Sequence, residues 1–468
     1  MENSNLTPKN IWQELKDAMG GTDADYTQIG IKRAIFLLAV PMILELVMES
    51  TFAIADIFFV GKLGASAIAT VGISETFLFL IYSLAMGFAT AVTAIIARRI
   101  GEKNQKEASK AAVQSIYLGL FSAIPFAIAG IFFSKDLLKL MGADSWSIDF
   151  GYRYTTWMLG GNVVIILLFI INAIFRGAGD AAIAMRVLWI ANGVNIVLDP
   201  ILIFGWGPIP EFGIEGAGIA TNIGRGTGVL VQLWTLVNAG KHIKVSLSNI
   251  RLNFPIMGNI LITSIGGVGQ MFVATSSWIF LMRILANIGS EAVAGATIAL
   301  RIMMFSMMPA WGLSNAAATL VGQNLGANQP ERAESSVWKI GLYNMIFLIG
   351  VAILYFTMNK FLVGLFSQEE RVIEIGSEWL QILSYSYLVY GWWMVSVQAF
   401  NGAGDTKTPT LINIVFFWCI QIPVSYFLAI SLNWQHSGVF WGVFFSETSV
   451  GIFTLWLFTK GSWKSVKV

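Results

Sequence analysis

The chain has 468 residues, 56% of them hydrophobic and only 12% charged, with a mean hydropathy of +0.69. A soluble chain of average composition is about 25% charged, so this is the composition of an integral membrane protein. A net charge of +2, one cysteine (Cys419) and two histidines (His242 and His436) argue against nucleic-acid binding, a disulfide framework and a thiolate metal site.

The first 30 residues are polar and contain no apolar core segment, so they do not read as a signal peptide. Thr7-Pro8 has the pattern of a helix cap. Ile11, Trp12, Leu15 and Met19 then recur at helical spacing, which predicts an amphipathic helix over 8–19 on the membrane surface. Segments long enough to cross the roughly 30 Å hydrocarbon core follow at 34–60, 67–97, 111–133, 150–175, 181–205, 213–238, 254–285, 291–322, 336–359, 373–400, 409–432 and 437–460.

Twelve spans put both termini on one side. If that side is the cytoplasm, only Lys62, Lys135, Lys139, Arg153, Lys360 and Arg371 lie outside, while most of the 29 Lys and Arg lie inside. That asymmetry follows the positive-inside rule and orients the chain in the plasma (inner) membrane.

A shift of 225 positions aligns the two halves without a gap. It pairs Gly64 with Gly289, Gly87 with Gly312, Gly101 with Gly326 and Gly151 with Gly376. The same shift brings FRGAGD (175–180) onto FNGAGD (400–405). Each half has an even number of spans and therefore the same topology. The expected fold is all-α: twelve transmembrane helices in two six-helix lobes, related by a pseudo-two-fold axis along the membrane normal, with a cleft between them. The expected units are an N-terminal segment (1–33), an N-lobe (34–238), a linker (239–253, including KHIKVSLSNIR), a C-lobe (254–460) and a tail (461–468).

Span 1 carries three acids where lipid tolerates few. On a helix, Glu45, Asp56 and Glu49 fall within an arc of about 40°, so this stripe must face protein or the cleft. Counting from the outer ends of the spans sets Asp56 level with Asp199 and Asn195 of span 5 and Thr221 of span 6. Two carboxylates with neutral oxygens suit Na⁺, for which Asp56 and Asp199 would be the charged ligands, or a shared proton. Asn195, Asp199 and Pro200 are also residues that manage the backbone near a helix end. Arg225 lies at the depth of Glu49, which predicts a buried ion pair. Glu45 has no evident partner in the lobe and is either a second protonatable site or a contact for a cationic substrate.

In the second half, Arg283 falls near the depth of Asp56 across the cleft or among the outer headgroups. Met303, Met304, Met307 and Met308, before Pro309, and the aromatic residues Tyr385, Tyr387, Tyr390, Trp392 and Trp393 of span 10 are candidates for the cleft wall. A methionine stripe is more often packing, and for the aromatic residues the interfacial belt or core packing serves equally. The GAGD turns, ending in Asp180 and Asp405, read as turn and cap chemistry.

The P-x(14)-D-xx-FVGKLG pattern of span 1 (from Pro41 through Asp56), the RGAGD turn, N-xxx-DP in span 5 and GAGIAT in span 6 resemble the multidrug and toxic compound extrusion (MATE) family in its DinF-like branch. The resemblance covers residues 30–460. It implies a V-shaped two-lobe fold and efflux coupled to inward Na⁺ or H⁺ movement. It also implies a cation site at Asp56, Asn195, Asp199 and Thr221, with Asn172 as a further candidate. Span 7 (266–283) lacks the acid of other branches, and Ile420 and Val424 stand where the N-lobe has Asn195 and Asp199. Coupling is therefore expected in the N-lobe only. Glu45 and Glu49 depart from the pattern.

The leading expectation is an antiporter exporting amphipathic, cationic organic compounds as a monomer among membrane lipids, with H⁺ or Na⁺ as coupling ion. No cofactor, nucleic-acid partner or catalytic residue is expected. A flippase for a lipid-linked or amphipathic precursor is the alternative. A membrane-embedded enzyme comes third, since no GxxxxGK[ST], HExxH or GxSxG occurs.

Overall fold

The computed structural model describes residues 8–238, 242–245, 251–466 and 468, with residues 8–11 described in backbone only. The cap at Thr7, the side chain of Ile11 and most of the linker lie outside the described residues.

A short helix, α1 (Pro8–Gly20), precedes twelve long ones. The first six are α2 (Ile31–Gly61), α3 (Ala65–Gly101), α4 (Gln105–Leu140), α5 (Ser147–Ala178), α6 (Ala181–Phe204) and α7 (Ile214–Asn238). The second six are α8 (Phe254–Ile288), α9 (Ser290–Gly326), α10 (Pro330–Gly364), α11 (Glu370–Ala403), α12 (Lys407–Ser431) and α13 (Gln435–Thr459). The expected spans coincide with these helices one for one. Among the described residues, nine of the helices are apolar and long enough to cross a bilayer by length and composition alone. Several helices continue past their apolar cores. The 37 residues of α9 reach about 55 Å at 1.5 Å per residue, so its ends must project or tilt.

The amphipathic helix docks rather than floats. Ala18 is buried against the start of α2, and Glu14 and Asp17 hold Arg33 at 3.0 and 3.3 Å. Trp12 stays exposed.

The 225-residue repeat reappears as paired contacts between the lobes. A Cβ on Gly101 would lie 2.0 Å from the Gln323 carbonyl oxygen, and one on Gly326 would lie 2.2 Å from that of Arg98. Likewise, Gly87 is closed in by Val268 and Gly312 by Ile43. Residues 98 and 323, like 43 and 268, are themselves 225 apart, so each contact is the other's mate about a pseudo-two-fold axis. Ala97 and Gly322 line the same seam. Small residues suit it, because apolar burial gives helices in lipid little reason to associate and close backbone packing supplies the attraction instead.

All these contacts lie in the half of the molecule that carries both termini. α2 links both lobes at the closed end, where Leu38 and Met42 share a core with Leu320, Val321 and Phe400.

Candidate functional site

α6 and α7 bring three of the expected residues together. Asn195 and Asp199 stand one turn apart on α6, with Pro200 inside the helix. The Asn195 amide nitrogen donates to the Thr221 hydroxyl at 3.2 Å and, at 3.5 Å, approaches Asp199 Oδ1. All three side chains are buried. Asp56, on α2, lies close enough for its charge and that of Asp199 to repel one another. Three oxygens are buried here without a hydrogen-bond donor among the described residues: Asp56 Oδ1, Asp199 Oδ2 and Asn195 Oδ1. Only acceptors are left over, so the site is suited to receive a cation or a proton.

Asn172 does not join this group. Its amide donates to Glu45 Oε1 at 3.2 Å and its oxygen accepts from Gln232 at 2.7 Å, deeper along α2. The expected lack of a partner for Glu45 is corrected by the same contacts. Arg176, in the last turn of α5, reaches Glu45 Oε1 at 3.3 Å. This arginine belongs to the FRGAGD segment, whose glycine Gly179 closes the helix in a left-handed conformation (φ 96°). The turn positions a counter-charge as well as ending a helix.

One turn outward, Glu49 pairs with Arg225 at 3.4 Å, as its depth suggested, and also accepts from Asn192 at 3.0 Å. The guanidinium of Arg225 lies 5.5 Å from the Phe52 ring centre and 5.6 Å from that of Tyr82. Packing between two ring faces holds the arginine rigidly and adds cation–π attraction. The α2 stripe thus divides into an ion-pair layer at Glu45, a second at Glu49 and the acceptor site at Asp56.

The C-lobe differs from expectation in several places. Tyr385 is half exposed among Phe356, Trp441 and Phe444, and Trp392 packs on Trp338 with its indole nitrogen on Met345. Neither borders the central cavity. Met304 faces outward and Met307 packs into the C-lobe core, leaving Met303 as the expected methionine that lines it. Arg283 is exposed and makes no ion pair among the described residues; the C-lobe cation whose charge acts across the cleft, on Glu75 of α3, is Arg301.

The cavity itself, about 280 Å³, is walled by Trp278, Trp311, Tyr390 and Trp393 of the C-lobe and by Met86 and Thr90 of α3. A second space of about 270 Å³ shares Met86, Thr90 and Trp311 with it and extends to Arg176. Sequence reasoning missed Glu75, Arg176 and Glu447. Each was visible as a charge inside or bordering an apolar span.

The MatE family model matches residues 41–201 and again 268–427, more than half of the chain in two successive copies. The chain belongs to the MatE family. It is 25% identical to a probable multidrug resistance protein NorM of Thermotoga maritima, over 93% of both chains. An FAD transporter of Shewanella oneidensis is 24% identical, over 84% of this chain and 87% of that one. A solved MATE structure in a bent conformation superposes with a TM-score of 0.88 at 24% identity, covering 95% of this chain and 98% of the other. The protein is therefore a membrane transporter and not an enzyme. Asp56, Asn195 and Asp199 lie inside the first MatE match, whereas Thr221 and Glu447 lie outside both. Among the described residues no three His, Cys, Asp or Glu side chains cluster as a metal cage. Na⁺ or H⁺ passing through such a two-carboxylate MATE site would be a transported ion rather than a resident one.

Proposed function

We propose that this MATE protein is a secondary antiporter that exports amphipathic, cationic organic compounds in exchange for H⁺ or Na⁺. It works as a monomer in the plasma membrane with both termini in the cytoplasm. The observation that carries the coupling assignment is the trio of acceptor-only oxygens on Asp56, Asp199 and Asn195. A Na⁺ or proton arriving there relieves the repulsion between the two carboxylates and occupies oxygens that nothing else satisfies. The occupied and empty sites then favour different arrangements of the helices that carry them, α2, α6 and α7. An ion that binds one arrangement better shifts the population toward it. With the termini inside, the closed seam faces the cytoplasm and the cleft opens outward, the state in which an external cation reaches the site.

The test is uptake of a fluorescent organic cation by proteoliposomes, with Na⁺ and pH gradients imposed separately. Asp56→Asn and Asp199→Asn should each abolish accumulation against a gradient while leaving downhill exchange measurable. Continued uphill transport by both variants would show that coupling resides elsewhere.

A further inference from the structure

On α2, Glu45 and Glu49 have cationic partners, Arg176 and Arg225, and Asp56 shares the acceptor site with Asp199. Glu447 on α13 has neither. It is 6% exposed, its Oε2 is buried without a hydrogen-bond partner, and no cationic side chain among the described residues acts on it. A carboxylate in such surroundings carries a large desolvation cost unless something outside the chain pairs with it.

The surroundings indicate what that is. Glu447 borders the 280 Å³ cavity together with Trp278, Tyr390 and Trp393, so a carboxyl group able to carry a negative charge shares the wall with aromatic side chains. A bare Na⁺ would need a ring of oxygens; the nearby Gln421 oxygen already accepts from Ser277 at 2.7 Å, and Asn413 Oδ1 is the further unsatisfied amide oxygen on this wall, too few with Glu447 to close such a ring. A proton would need neither the rings nor the space. An organic ammonium uses all three features: the charge, the aromatic faces and the volume. The cavity also reaches Met86 and Thr90 of the other lobe and shares them with the second space beyond, so the rest of a large molecule has somewhere to lie.

We propose that Glu447, with Tyr390 and Trp393, forms a C-lobe subsite that holds the positively charged nitrogen of the exported compound. The proposal rests on the cationic-substrate reading above and names the group that recognises the cation. It also divides labour between the lobes: the N-lobe acids take the coupling ion and the C-lobe acid takes the substrate's charge.

The experiment is equilibrium binding to the full-length protein in lipid nanodiscs, without any gradient. Two probes are compared, naphthyltrimethylammonium and its neutral tert-butyl isostere. The wild type should bind the cation at least tenfold tighter than the isostere. Glu447→Gln should erase that preference, Glu447→Asp should keep most of it, and Trp393→Leu should reduce it roughly fivefold. The preference is a ratio within one protein sample, so partial misfolding of a variant does not imitate the result. A cation affinity within twofold of wild type in Glu447→Gln overturns the subsite and leaves the ion-coupled antiporter standing. A wild type that prefers neither probe overturns both the subsite and the cationic-substrate reading, while the coupling test at Asp56 and Asp199 remains separate.

Discussion

Glu45 and Arg176 have counterparts 225 positions on, Gln270 and Asn401, and these also pair. The Gln270 amide donates to Asn401 at 3.0 Å, and Asn401 returns a bond at 3.2 Å. The same structural position is thus an ion pair in one lobe and a neutral amide pair in the other. Removing one member of a buried ion pair strands the other charge and costs about 3–5 kcal/mol, whereas replacing both is often neutral. Glu45→Gln and Arg176→Asn should therefore each lower the thermal unfolding temperature in nanodiscs. The double variant, which copies the C-lobe pair, should recover most of the loss. Equal, additive losses would mean that the two side chains do not act as a pair. Transport by the double variant then separates architecture from coupling, because it restores packing without restoring charge.

At this scale the sequence was legible where depth alone set the contact, as for Glu49 with Arg225. It was not where a partner came from a segment with another evident purpose: Arg176 was hidden in a turn motif, and Asn172 was drawn to Glu45 instead of the ion site.

At the scale of elements, the twelve helices and their repeat could be read directly, since lipid forces long apolar segments and a constant offset fixes which correspond. Docking of loops onto those helices could not be read, because it depends on polar contacts distant in sequence. The clearest case is His242 of the linker. Its ring nitrogen Nδ1 lies 2.7 Å from Asp180 Oδ1, and its backbone N–H donates to Asp180 Oδ2 at 3.2 Å. Burial pulls the imidazole pKa down, but the hydrogen bond and charge of Asp180 outweigh it, so the net shift is upward from the ordinary value. A pKa raised by folding contributes stability in full below the unfolded value of about 6.5, and that contribution fades as pH rises through the folded value. Hydrogen exchange in residues 242–245, corrected for the intrinsic pH dependence, should therefore show protection lost on the alkaline side. Asp180→Asn should flatten the profile. A profile unchanged by that substitution would exclude His242 as the group responsible.

For the molecule as a whole, the seam at the terminal face decides which way the cleft opens, and it depends on what Gly101 and Gly326 lack. A Cβ at either position would come within 2.0–2.2 Å of a carbonyl across the seam, too close unless the lobes separate there. Overpacking of this kind costs about 1–3 kcal/mol. Here the cost falls only on the arrangement in which the seam is shut, because opening it removes the contact. Alanine at either glycine should then shift the population toward a cleft open at the terminal face, by about tenfold for each 1.4 kcal/mol. A cysteine at Thr93, buried beside the second interlobe space, reports this once the exposed native Cys419 is replaced by serine. A membrane-impermeant thiol reagent applied from the terminal side should label it about tenfold faster in Gly101→Ala and in Gly326→Ala. Because the two contacts are symmetry mates in one seam, the double variant should gain less than the product of the two. Gly258→Ala, where the added Cβ meets nothing within 4 Å, should label at the parent rate. Labelling unchanged in all three variants would mean that the seam is not the gate, and that the pseudo-two-fold contacts serve only to join the lobes.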